Sequence, residues 1–167
     1  MVALFYISAA VALVATILVV TRRNAVHALL YLVVSLLAVA MVFLSLGAAF
    51  VAALQVIIYA GAIMVLFVFA AMMLNLGHQA ARDEGHLMAP SAWAGPAALA
   101  AVLFAELVCV LLRSGGEGAA AASVEAKTVG ACVFGRYLLG VELASMLLLA
   151  GLVGAYHLAR GQGKGTT

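Results

Sequence analysis

Charge is what this sequence has least of: eight Lys or Arg and six Asp or Glu among 167 residues, 8% of the chain. Soluble domains carry about 25% charged residues, so a soluble fold is excluded. Apolar residues make up 68% instead, with a mean hydropathy of +1.28. Cysteine is nearly as scarce. Cys109 lies inside an apolar run and Cys132 at the edge of another, which gives neither a disulfide framework nor a metal-ligand spacing. Both read as small packing residues. His27, His78, His86 and His157 fall at run ends or in loops without shared spacing, so no metal site is expected. The net charge is only +2 and the basic residues are scattered, which argues against a nucleic-acid partner. A nucleophile–base pair and a phosphate loop are also missing, so the chain is expected to hold no catalytic centre of its own.

What the sequence does have is long apolar runs, at about 2–21, 26–47, 50–76, 92–112 and 133–158. Each reaches the roughly 20 residues needed to cross a bilayer. In lipid an unpartnered backbone group costs several kcal/mol, so such runs must be helices. The expectation is an all-α polytopic membrane protein, one transmembrane domain over residues 1–167 with five transmembrane helices. The first run has no basic region before it and no cleavage site after it, and reads as a retained span. The second and third are separated by so few residues that they must form a tight antiparallel hairpin. Residues 77–91 and 113–132 read as polar or Gly/Ala-rich loops, and 160–167 as a flexible tail. Pro96 is expected in the first turn of the fourth helix. Tyr6, Tyr31, Trp93 and Tyr137 fit interface anchors. Arg22, Arg23, Arg82, Arg160 and Lys164 would lie on one side of the membrane, and Arg113, Lys127 and Arg136 on the other. That bias predicts an external N-terminus and a cytoplasmic C-terminus.

The stretch that organises the chain is FVAALQVIIYAGAIMVLFVFAAMMLNL, residues 50–76, without a single charge. Its centre, Tyr59-Ala60-Gly61-Ala62, sets a phenol beside three of the smallest side chains. Gly61 lacks the Cβ that stiffens a helix and admits close neighbours. Gln55 and Tyr59, four residues apart, share a helical face and can hold water or pass a proton. The plainer alternative is a Tyr59 hydroxyl that donates to a neighbour's carbonyl. Two acids fall inside later spans. Glu106 is near the middle of the fourth and Glu142 lies within the fifth, with Ser145 three residues on as a candidate partner. A charge at the bilayer centre costs about 2.5–3.5 kcal/mol on insertion scales, so such acids are functional candidates by default. The structural alternative for each is an acid hydrogen-bonded to a neighbouring helix. Small residues abound, so a packing subunit of a larger assembly fits the composition equally.

The stretch VHALLYLVVSLLAVAMVFLSLGAAFVAALQVIIYAGAIMVLFVFAAMMLNLG (26–77) resembles the J-subunit family of bacterial respiratory complex I, the proton-translocating NADH:quinone oxidoreductase. This family is the counterpart of the mitochondrially encoded sixth membrane subunit. VELASMLLLAGLVGA (141–155) resembles the family's last helix, and about two-thirds of the chain is covered. The resemblance implies a subunit of the bacterial cytoplasmic membrane that binds no cofactor. The parent complex would use NADH, FMN, iron–sulfur clusters and quinone. The implied partners are the quinone-site H-type, the A-type, the K-type and the antiporter-like subunits, within the lipid bilayer. It also implies a third helix that exists in a continuous form and in a form with a π-bulge. Here that maps onto Tyr59, Ala60 and Gly61, with Met64, Val65 and Phe67 following. A bulge adds a residue to one turn and rotates what lies beyond it, which would make or break a proton path. The acid of the last helix maps onto Glu142, while Glu106 and Arg136 match no family position. Small subunits of multisubunit cation/proton antiporters are similar too and stand as the alternative, beside a purely structural role for Tyr59 and Gly61.

Overall fold

The computed structural model describes residues 2–22, 25–74, 90–113 and 124–161, and among these every regular element is helical. Five helices are long and apolar enough to cross a membrane: Val2–Thr21, Ala25–Ser45, Ala49–Met73, Trp93–Leu112 and Leu138–Arg160. The described residues form two compact units, divided between Val124 and Glu125.

In the first unit, spans one and two pack most extensively. Their contact is built from small and β-branched residues: Val11, Ala15, Val34 and Ala38 form the core with Leu103 of the fourth span. Ala15 and Ala38 are 0% exposed. Lipid offers no hydrophobic drive between helices, so close approach over alanines and hydrogen bonds supplies the attraction. Thr16 Oγ1 donates to the carbonyl of Ala12 at 2.8 Å, which leaves the Ser35 hydroxyl as donor to Thr16, also at 2.8 Å. Span two stops in a Schellman motif. Gly47 takes φ 79°, its N–H donates to Leu44, and the N–H of Ala48 reaches back to Phe43 at 3.0 Å. Span three starts at Ala49, so only Leu46, Gly47 and Ala48 make the hairpin.

Several expectations for this unit change. The fourth helix begins at Pro90 rather than near residue 92, and Pro96 lies inside it. Pro90 takes the first helical position, where a missing N–H costs nothing, and Pro96 leaves the carbonyl of Ala92 without its helical donor. Tyr31 is no interface anchor: it is buried against Gly95 of span four, with the Arg22 guanidinium 5.4 Å from its ring centroid. Nor does Cys109 pack inside the chain, for both cysteines are free and exposed.

In the second unit, the expected loop 113–132 contains a helix, Ala126–Phe134, and the last span starts at Leu138 instead of 133. The intervening turn is tied by the Tyr137 N–H donating to Cys132 at 3.1 Å. Gly130 and the β-branched Thr128 and Val129 are poor helix formers, which hid this short element. Most of the loop 77–91, residues 114–123 and the tail beyond 161 lie outside the described residues. So do Arg23, Arg82 and Lys164, on which the expected orientation partly rests.

Candidate functional site

The third span changes register at its centre. Residues Ala49–Leu54 are α-helical, Gln55–Ile63 are π-helical, and Met64–Leu74 are α-helical again. On entry the N–H of Gln55 donates to Val51, four residues back; on exit the N–H of Met64 donates to Tyr59, five back. The bulge expected at Tyr59–Gly61 is therefore present, and it is longer than three residues. Its local cause is legible. Val56, Ile57 and Ile58 are three β-branched residues in a row, which fit an α-helix poorly, and Gly61 then removes a side chain. A Cβ built on Gly61 would stand 3.3 Å from the carbonyl oxygen of Val56, five residues back. Wide turns of this kind are rare and concentrate at functional sites.

The candidate residues divide by exposure. Gln55, Ala60 and Gly61 are half-buried. Tyr59 is 49% exposed, and its hydroxyl finds no partner among the described residues. Directly beyond the π segment, Met64 is 2% exposed and points into the first unit, while Val65 and Phe67 are half exposed on the outer surface. Rotation of this helix would thus exchange Met64 with its bulky neighbours. Beside the segment lies a cavity of about 390 Å³, lined almost wholly by apolar groups of spans two, three and four, among them Leu37, Met41, Ala52, Val56, Leu103 and Phe104.

The two acids meet different fates. Glu106 is 6% exposed and accepts a hydrogen bond from Ser8 Oγ of span one at 2.7 Å. That is the helix-to-helix bond anticipated as the structural alternative. Its other oxygen, Oε1, is buried and has no partner among the described residues. Ser8, 0% exposed, was missed from sequence, although Ser8-Ala12-Thr16 at intervals of four marks a small and polar stripe. Glu142 is exposed and stands four residues into its span, about 6 Å along the axis, so it is less deeply placed than the run 133–158 implied. Ser145 does not serve its carboxyl: the hydroxyl donates to the Glu142 backbone carbonyl at 2.7 Å, the usual local back-bond of a helical serine. Among the described residues no group of three His, Cys, Asp or Glu is placed to hold a metal ion.

Comparison with known proteins gives a consistent picture. A family model described as NADH-ubiquinone/plastoquinone oxidoreductase chain 6 matches residues 15–158. The NADH-quinone oxidoreductase subunit J of Pseudomonas aeruginosa is 57% identical over 161 residues, covering 96% of this chain and 97% of that protein. Its Escherichia coli K12 namesake is 53% identical over 156 residues, 93% of this chain and 85% of the relative. That of Rhodobacter capsulatus is 37% identical over 160 residues, 90% and 77% respectively.

Proposed function

The chain belongs to the NADH-ubiquinone/plastoquinone oxidoreductase chain 6 family and is a membrane subunit of NADH-quinone oxidoreductase, complex I, and from that premise we propose that its third span gates proton connectivity between the quinone end of the enzyme and its pumping subunits. The observation that carries this is the π register of Gln55–Ile63 around Gly61. In the π form everything beyond Met64 is rotated relative to a continuous α-helix. Conversion turns Met64 out and brings Val65 or Phe67 in, and the apolar cavity beside Val56 gives the side chains room for the exchange. Gln55 and Tyr59 supply the polar contact where a water wire would pass, Gly61 supplies the hinge, and Ala60 keeps the turn slim. Glu142 is a weaker proton-path candidate, open to a partner subunit.

On this reading NADH, FMN, the iron–sulfur clusters and quinone are handled by other subunits, and this chain contributes conformation rather than redox chemistry. It sits in the bacterial cytoplasmic membrane against the H-type, A-type, K-type and antiporter-like subunits, with its N-terminus outside and its C-terminus in the cytoplasm. The first test is a tagged pull-down from native membranes in mild detergent. Flavin and iron–sulfur subunits with inhibitor-sensitive NADH oxidation in the eluate support the assignment of partners, and their absence would overturn it. For the gate itself, Tyr59→Phe keeps the ring and removes the hydroxyl. On this reading the hydroxyl bonds the water wire rather than the protein, and losing that one bond is worth about 1 kcal/mol, roughly a fivefold change in a two-state balance. Protons pumped per NADH oxidised should fall by roughly that factor, while electron transfer in uncoupled membranes stays close to normal. An unchanged ratio would leave Tyr59 as a packing residue.

A further inference from the structure

The hollow beside the third span is more than room for a gate. It is lined within residues 37–44 of span two, 49–56 of span three and 100–107 of span four. In a chain that crosses at every span, spans two and four run the same way. Tyr31 against Gly95 sets them in step, so 37–44 and 100–107 lie level. Span three returns from the hairpin, and its residues 49–56 fall back to the same depth. The hollow therefore begins near the membrane face where span two ends and runs about 10 Å inward. That keeps it within one leaflet, whose hydrocarbon is about 15 Å deep, half of the roughly 30 Å core.

Spans three and four both pack on span two and barely on each other, which leaves a groove between them. Ala40, Ala52 and Leu103 are buried at its bottom, whereas Val56 and Phe104 at its rim are exposed. The mouth thus opens sideways between spans three and four, toward the surrounding bilayer. At about 390 Å³ the hollow is more than twice the roughly 150 Å³ at which an apolar cavity stays dry and takes up benzene. Its lining offers almost no polar group, so a headgroup or a quinone ring would lack the placed polar contacts that orient such ligands. Its length is about a third of the membrane core, so it cannot seat a transmembrane helix, which runs the full depth. What matches is a flexible hydrocarbon chain that enters from one leaflet. Hydrophobicity does not drive that transfer, because the chain leaves one hydrocarbon for another. Dispersion contacts with walls that otherwise lack neighbouring atoms do.

We propose that this groove binds one acyl chain of a bilayer phospholipid, drawn from the leaflet in which span two ends. The headgroup stays at the membrane face, beside residues 46–48. No charged side chain lines the groove, so the site selects a chain and not a headgroup. An acyl chain is deformable and yields to the side-chain exchange of the third span, so the site neither needs nor forbids the gate.

The test is photolabelling of the assembled complex in vesicles that contain phosphatidylethanolamine with a diazirine near the end of one acyl chain. Labelled positions are mapped by peptide mass spectrometry. Label is expected on Ala40, Ala52 or Leu103, which a chain reaches only from inside the groove. Ala53→Phe places a ring in the groove from the wall of span three, and should remove most of that label while the other membrane subunits label as before. Ala100→Phe, on the wall of span four, serves if the first variant does not assemble. Absence of label at the three buried positions, with the rest of the complex labelled, means that protein covers the mouth and overturns the proposal. Label that persists in the filled variant marks passing surface contact and overturns it as well. Label from an isoprenoid-chain quinone probe, with none from the phospholipid, would give the groove to a quinone tail instead. The readout does not involve pumping, so loss of pumping in Gly61→Val and loss of label here are separate results.

Discussion

Gly61→Val is expected to leave the enzyme assembled in the membrane and to remove most of its proton pumping. The position has no side chain, and the nearest atom to an added Cβ is the Val56 carbonyl oxygen at 3.3 Å, inside the same helix. An alanine there is tight but tolerable if the carbonyl gives by a few tenths of an ångström. Valine adds two methyl groups and a fixed χ1, and the crowding then falls on the turn that carries the π register. Overpacking of this kind costs about 1–3 kcal/mol, which in a two-state element shifts the balance by roughly 5- to 150-fold. Among the described residues no neighbouring span comes within 4 Å of the new Cβ, so insertion and assembly have little reason to suffer. The measurement pairs complex yield on native gels with the proton gradient formed per NADH oxidised. Gly61→Ala should lie between wild type and valine. Normal pumping in the valine variant, with normal yield, would remove Gly61 as a hinge and with it the gate.

How far the sequence leads depends on which interactions are local. The five spans are legible because crossing a bilayer demands length and low charge, and both are written in consecutive residues. The soft centre of span three is legible for the same reason: Tyr59, Ala60, Gly61 and Ala62 are neighbours, although the expectation of a π-bulge came with the family resemblance. The Ser8–Glu106 bond is different. Its partners are 98 residues apart, and in helices that are apolar on all sides no hydrophobic face tells which way a residue looks. Tyr31 failed as an interface anchor on the same ground, because the gap at Gly95 that receives it lies on another span. Pro96 misled because a better first helical position, Pro90, stood six residues upstream. The helix Ala126–Phe134 was hidden by its glycine and β-branched residues, whose poor propensity outweighed the weak apolar pattern.

Gly95→Ala is expected to destabilise the first unit by about 1–3 kcal/mol, and removal of the Tyr31 hydroxyl should recover part of the loss. The Cβ of residue 95 would run into the Tyr31 hydroxyl and stand 3.2 Å from the ring carbon that bears it. Tyr31 cannot easily step aside. It is 4% exposed, and Arg22 lies over its ring at 5.4 Å. Because the clash is between one added methyl group and one oxygen atom, Tyr31→Phe should relieve it while keeping the ring in place. Tyr31→Phe alone should be nearly neutral, since the hydroxyl carries no hydrogen bond within the described residues. A cycle of the four proteins, scored by thermal stability of the assembled complex, then isolates the coupling. Contacting residues typically couple by about 0.5–3 kcal/mol, so an alanine variant no better with phenylalanine at position 31 would mean that spans two and four approach differently from the geometry described. If the coupling is found, it fixes the seat of span four on span two. That contact and the Ser8–Glu106 bond hold the fourth span at two depths.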